Sequence, residues 1–276
     1  MHFGIAIFPT DRSIGIAELS REAEARGLES LWVPEHTHIP VSRETPYPGG
    51  GDLPEYYKRI LDPFVALAVA AANTTRLKLG FGIVLLIERD PIITAKEVAS
   101  LDLVSGGRVI FGVGGGWNLE ELRNHGTDPS RRFGVLRQRV EAIREIWTKE
   151  EAEYHGELVD FGPIWSWPKP VQEHLPILVG GNAENSLKRA LTYGDGWIPN
   201  GRRSQLLVQI PEFHRLCEES GRGRLPVTVY GSRRTRDVVE EYGELGVDRL
   251  VFWMPSAPYD EVMPVLEEVT ALAQAR

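Results

Sequence analysis

Short apolar runs alternating with stretches of helical spacing, eight times over, constrain this chain more than any other feature. The runs are Phe3–Phe8, Ser30–Val33, Leu77–Val84, Val109–Val113, Ile177–Val179, Trp197–Pro199, Val227–Tyr230 and Arg249–Trp253. Between them apolar residues recur at helical steps, as at Ile16, Leu19 and Ala23 in the first interval and Val135, Val140, Ile143, Ile146 and Trp147 in the fourth. Strands buried on both faces read as continuous apolar runs and need helices to cover them, so the pattern predicts a parallel sheet. Eight such units close most economically into one (β/α)8 barrel, a TIM barrel, expected here as a single domain over residues 1–276. Such barrels carry their chemistry at the carboxyl ends of the strands.

Two segments break the beat. The first is an insertion after strand two, Glu35–Leu61, rich in proline and glycine, which reads as a lid. The second lies between helix four and strand five, Lys149–His174. It holds a hairpin (Ala152–Tyr154 and Leu158–Phe161 around His155-Gly156) and then Trp165, Trp167, Pro168 and Pro170. It starts from the opposite rim and reads as packing along the barrel flank or against a second subunit.

A net charge of −8 argues against nucleic acid or an anionic membrane as the partner. No apolar run approaches the ~20 residues of a membrane span. The first strand begins almost at Met1, which leaves no room for a signal peptide. The one cysteine, Cys217, falls in the helical stretch Gln205–Glu219 and is expected to be buried. Together these predict a cytoplasmic protein that acts on a small molecule.

The strand ends hold the candidate chemistry. Strand two ends in Glu35-His36-Thr37-His38, a carboxylate and an imidazole that can both transfer protons. A zinc reading of His36-x-His38 is disfavoured, because His2, His125, His155, His174 and His214 fall away from strand ends and a catalytic zinc wants three ligands. Strand three carries Gly80 and Gly82, which permit close backbone approach or relieve crowding inside the barrel. Strand four runs into Gly112-Val113-Gly114-Gly115-Gly116-Trp117 and strand five into Gly180-Gly181-Asn182, each before a helix. Two adjacent glycine loops at helix starts suit a phosphate or a flat ring, with tight turning as the competing explanation. Arg202, Arg203, Arg233, Arg234 and Arg236 follow strands six and seven, either facing an anionic ligand or solvated. Trp32, Trp117, Trp197, Trp253 and Tyr56 could wall a site for a flat ligand, though each alone suits a core.

Four segments resemble the luciferase-like monooxygenase superfamily: Trp32–Pro40, Asp90-Pro91 leading to Ser105-Gly106-Gly107-Arg108, the strand-four glycines through Trp117, and Pro176–Gly181. More narrowly the chain resembles its actinobacterial branch assigned to the deazaflavin coenzyme F420. That resemblance implies an oxidoreductase moving a hydride between F420 and an unsaturated or carbonyl-type organic substrate. It implies His36 as proton donor or acceptor, with Glu35 orienting it. It implies a bulge at Gly82–Ile83, often a non-proline cis peptide, behind the cofactor ring. Gly114, Gly115, Gly180, Gly181 and Asn182 would bind the cofactor, the last three at its phosphate, and a homodimer is expected. Related sugar-phosphate dehydrogenases carry a catalytic glutamate where this chain has Trp117, which argues against such a substrate. Glu120 and Glu121 lie a helical turn later. The first alternative is a monooxygenase using flavin mononucleotide (FMN) on the same scaffold. A hydrolase using rim carboxylates and a cofactor-storage protein rank below it.

Overall fold

The computed structural model describes residues 1–275. In chain order the elements are β1 (His2–Ala6), α1 (Ile16–Ala25), β2 (Ser30–Val33), α2 (Pro63–Asn73), β3 (Lys78–Phe81), α3 (Pro91–Ser105) and β4 (Val109–Val113). Next come α4 (Leu119–Asn124), α5 (Arg132–Thr148), β5 (Ala152–His155), β6 (Asp160–Ile164), β7 (Ile177–Gly180) and α6 (Glu184–Tyr193). The chain ends with β8 (Gly196–Ile198), α7 (Arg203–Glu219), β9 (Thr228–Tyr230), α8 (Arg236–Glu244), β10 (Arg249–Trp253) and α9 (Tyr259–Gln274).

Eight strands form one parallel sheet in the order β8-β7-β4-β3-β2-β1-β10-β9. A parallel bridge between Trp197 and Val227 joins its two ends, so the sheet closes into a (β/α)8 barrel. Each of the eight expected strands is present. The third is shorter than its apolar run: regular pairing stops at Phe81. The Gly82–Ile83 peptide that follows is cis. Among the described residues no helix is long and apolar enough to cross a membrane.

Local chemistry sets the helix ends. Both α2 and α3 begin with proline after an aspartate cap: Asp62 accepts from the Phe64 and Val65 amides, and Asp90 from that of Ile93. Gly106 closes α3 with φ 69°, a left-handed cap that favours glycine. Trp32 fills the barrel bore. A Cβ on Gly80 would lie 2.1 Å from its indole, and one on Gly4 would meet Ser30 Oγ at 2.3 Å. Crowding relief is therefore the role of Gly80.

Arg108, at the amino end of β4, is buried and bonds the carbonyls of Ser105, Leu77 and Ala71 and the Thr74 hydroxyl. The Ala71 carbonyl is one of those the end of α2 leaves without a helical partner. Arg108→Leu strips these acceptors and is expected to cost about 3 kcal/mol or more. Thermal unfolding should show this as a Tm lowered by about 6–12 °C.

The two segments between elements differ in attachment. The β5–β6 hairpin packs on α5, where Gln138 accepts from the Leu158 and Val159 amides. Its continuation is tied to α3 by Asp102, which accepts from the Val171 and Gln172 amides. This is flank packing. Residues 34–62 instead arch over the carboxyl end of the barrel. Their far end is fixed by Leu61 N–H donating to Pro9 O (2.8 Å) and by an Arg59–Asp11 ion pair (2.6 Å).

Candidate active site

A cleft of about 320 Å3 opens at the carboxyl ends of the strands. It gathers residues from most of the barrel: Phe8, His36, Tyr57, Ile83, Trp117, Arg189, Tyr230 and Trp253 among them. Of the sequence-predicted site residues, Glu35, His36, Gly82, Ile83, Gly114, Gly115, Gly180, Gly181 and Asn182 all border it.

His36 leaves β2 with its ring nearly buried, and its Nδ1 lies 2.8 Å from Glu121 Oε2. The other ring nitrogen, Nε2, accepts from the Trp117 indole N–H at 3.3 Å. A carboxylate can only accept and an indole can only donate, so these partners place the proton on Nδ1 and leave the Nε2 lone pair toward Trp117 and the cleft. Glu121 sits in α4 with no exposed surface, and its other oxygen accepts from the Thr37 amide. The carboxylate that orients His36 is therefore Glu121.

This corrects the role expected of Glu35. Its oxygens accept from the Leu85 amide (2.7 Å) and Arg89 (2.6 Å). Burial raises its pKa, outweighing the attraction of Arg89. Arg89 also pairs with Asp62 (2.7 Å) and Glu97 (3.2 Å), so Glu35 anchors the start of the arched segment to α2 and α3. Glu120 holds the middle of that segment through the Thr45 amide (2.9 Å) and hydroxyl. Burial would raise the Glu120 pKa, but the Thr45 bonds overcome it and hold the carboxyl below its ordinary value.

The cis Gly82–Ile83 peptide forms one wall. A Cβ on Gly114 or Gly180 would approach the Ile83 side chain to 2.8 or 3.1 Å, so these two glycines make room for Ile83. Gly115 gives way to Phe133 in the same manner, at 2.7 Å. Opposite Gly82 stands Tyr230, buried and lining the cleft, whose hydroxyl has no hydrogen-bond partner. Burial holds this phenol protonated, with its pKa well above the usual value.

At the loop after β7, Gly181 has φ 127°, a conformation side chains avoid. Asn182 is committed to Asn200: its Oδ1 accepts from the Asn200 amide (2.8 Å) and its Nδ2 donates to Oδ1 (2.5 Å). The cation bordering this end is Arg189 of α6, stacked 3.9 Å over Phe133. It lies in the second turn of α6, beyond the glycine loop, where no local sequence pattern points to the cleft.

Of the rim arginines, Arg203, Arg234 and Arg236 are paired with Glu241, Glu268 and Glu240. Arg202 and Arg233 line a neighbouring cavity of about 590 Å3, together with Ser204 and Ser232. Among the expected aromatic walls, Trp117 and Trp253 line the cleft, whereas Trp32 and Trp197 are core. Tyr57, rather than Tyr56, borders the cleft, its ring centre 5.2 Å from that of His36.

Comparison with known proteins agrees with this architecture. The family model described as luciferase-like monooxygenase matches residues 3–254. An uncharacterized protein of Mycobacterium tuberculosis is 42% identical over 276 residues, covering 98% of both chains. An F420-dependent glucose-6-phosphate dehydrogenase of Amycolatopsis mediterranei is 27% identical, over 94% of this chain and 76% of its own length. In structure, a monooxygenase from Streptomyces bottropensis superposes with a TM-score of 0.82 at 19% identity, covering 100% of this chain and 99% of its own. An F420-dependent secondary alcohol dehydrogenase in complex with an F420–acetone adduct superposes with a TM-score of 0.77 at 17% identity, with the same coverage.

Proposed function

Because the chain belongs to the luciferase-like monooxygenase family, we propose that it is an oxidoreductase that moves a hydride between coenzyme F420 and an unsaturated or carbonyl-type organic substrate. The observation that carries this reading is a proton-transfer pair, His36 and Glu121, set beside a wall suited to a flat ring. The relative from Amycolatopsis mediterranei, F420-dependent by name, supports the choice of cofactor.

The residues present fit the deazaflavin. Tyr230 offers an unpartnered buried hydroxyl to a ring acceptor, and Ile83 offers an apolar face. Gly181, Ala183 and Arg189 would hold the phosphate, with Arg202 and Arg233 available to the acidic tail. When bound, the deazaflavin supplies or accepts the hydride.

The chain's own part is proton management. His36 Nε2 takes the proton of a substrate hydroxyl, and the Glu121 carboxylate stabilises the imidazolium that results. In the opposite direction the same imidazolium protonates the developing oxyanion. Substrate oxygen competes for Nε2 with the Trp117 indole, so Trp117 acts as a placeholder until substrate arrives. The arched segment, latched by Thr45 to Glu120, excludes water from the cleft. A homodimer belongs to the same reading, supported by exposed Val65 and Val69 on α2 and Ile93 and Val104 on α3.

Fluorescence titration of the purified protein with F420 and, in parallel, with FMN tests the proposal. F420 is expected to bind at micromolar concentration or below and FMN far more weakly; ketones, enones and quinones should then reoxidise the reduced cofactor. Preference for FMN would move the protein to flavin monooxygenase chemistry.

A further inference from the structure

The cleft has two chemically different ends. Arg189 and the loop after β7 form one, three strands around the barrel from β2, which leads into His36. Around His36 the lining is an unbroken run of rings, begun by Trp253 and Phe8 at the ends of the neighbouring strands β10 and β1. Trp253 and Phe8 stack with ring centres 5.0 Å apart, and Phe8 meets Tyr57 at 4.7 Å. Tyr57 meets His36 at 5.2 Å, and His36 meets Trp117 at 5.7 Å. Tyr47 of the arched segment backs this wall, its ring centre 5.3 Å from that of Tyr57 and 6.1 Å from that of Trp117. Tyr57, Trp117 and Trp253 are only half-buried, so ring surface faces the cleft.

No permanent cation stands among these rings. Of the described residues that line the cleft, Arg189 is the one arginine or lysine, and it belongs to the opposite end. Arg89 is committed to Glu35, Asp62 and Glu97. The fixed charge on this side is negative: Glu121 lies buried against His36, and Glu120 precedes it, bonded to Thr45. Glu88 adds no charge, because burial, with Glu121 and Glu35 near it, pushes its pKa up to about 9. A phosphate or carboxylate brought to His36 would meet this negative charge with no cation to balance it. A cationic substrate would be repelled by the imidazolium that forms when His36 takes a proton. A sugar would bury hydroxyls against rings that offer them few partners, since the Trp117 indole N–H is given to His36. What the wall does bind well is the face of an uncharged ring, through apolar burial and stacking.

We propose that the substrate is an uncharged ring compound, held with its carbonyl or hydroxyl oxygen at His36 Nε2 and its ring against Phe8, Tyr57, Trp117 and Trp253. This rests on the proposed oxidoreductase function and narrows it; hydride and proton move as described there. Phosphorylated sugars and organic acids fall outside the class, and small acyclic ketones leave most of the wall uncovered.

Calorimetric titration of the cofactor-free protein tests the wall by itself. The uncharged probe β-naphthol is expected to bind, and glucose and phenyltrimethylammonium are not. Tyr57→Ala should weaken β-naphthol binding by about tenfold. No binding of β-naphthol to wild type, unchanged binding by Tyr57→Ala, or tighter binding of the ammonium probe overturns the proposal. The second measurement needs no variant: turnover of reduced F420 by wild type with cyclohexanone, with the same ring bearing a carboxylate opposite the carbonyl, and with dihydroxyacetone phosphate. The added carboxylate should lower kcat/KM by about tenfold or more, and the phosphorylated ketone should not react. Equal or better turnover of either anion overturns the proposal. Failure of wild type to bind F420, or of every ketone to reoxidise it, counts against the oxidoreductase reading, while the cofactor-free titration still decides what the wall accepts.

Discussion

Glu121→Gln is expected to lower turnover by about 10²–10⁴-fold while leaving F420 affinity within a few-fold of wild type. The amide oxygen can still accept a hydrogen bond from His36 Nδ1 across the observed 2.8 Å, which keeps the ring in place, while the amide nitrogen replaces the oxygen that accepts from Thr37 N–H and gives up that longer 3.2 Å bond. What disappears is the negative charge that stabilises the imidazolium when His36 takes a proton. The loss should therefore fall on kcat, with a changed pH profile and a nearly constant KM. Glu35→Gln is the instructive comparison. Its carboxyl serves Leu85 and Arg89, so its effect should appear in stability and in the anchoring of the arched segment. Steady-state kinetics across pH for both variants decide the matter, and a Glu121→Gln enzyme with wild-type kcat would remove Glu121 from the chemistry.

The second large effect is on stability at alkaline pH. The Glu88 pKa is higher in the folded protein than in the unfolded chain, so the unfolded state releases this proton first. Its contribution is fully present below 4.5 and is lost progressively as pH rises from there through about 9. Over that window wild type is expected to lose about 1.4 kcal/mol of stability per pH unit from this group. Glu88→Gln keeps the shape and carries no proton to lose. Its Tm relative to wild type should therefore climb steadily with pH and level off beyond about 9. Thermal unfolding of both proteins over a pH series reads this directly; parallel curves would mean that Glu88 is already ionised in the fold.

The sequence by itself determined the barrel. Strands covered by helices outside and by side chains inside must be apolar along their length, and that requirement writes eight runs into the chain that need no knowledge of neighbours. The hairpin at β5 and β6 was legible for a different local reason, a turn at His155-Gly156 between two short strand-like runs, although its second strand is Asp160–Ile164 rather than Leu158–Phe161. His36 was legible because strand ends are where this architecture exposes side chains. Partnership was not legible. Glu121 meets His36 across 85 residues because α4 and the end of β2 converge over one mouth, and no local pattern marks that. Glu35, adjacent to His36 in sequence, is turned toward Arg89 instead. Gly114 and Gly180 read as phosphate loops, yet the space they leave is taken by Ile83 from another strand. Trp32 and Trp117 look alike as strand-end tryptophans, but Gly4 and Gly80 open the bore only for the first. Periodicity records whether a residue is buried. Which distant group it is buried against depends on how closed strands and loops converge, and only the tertiary structure decided that.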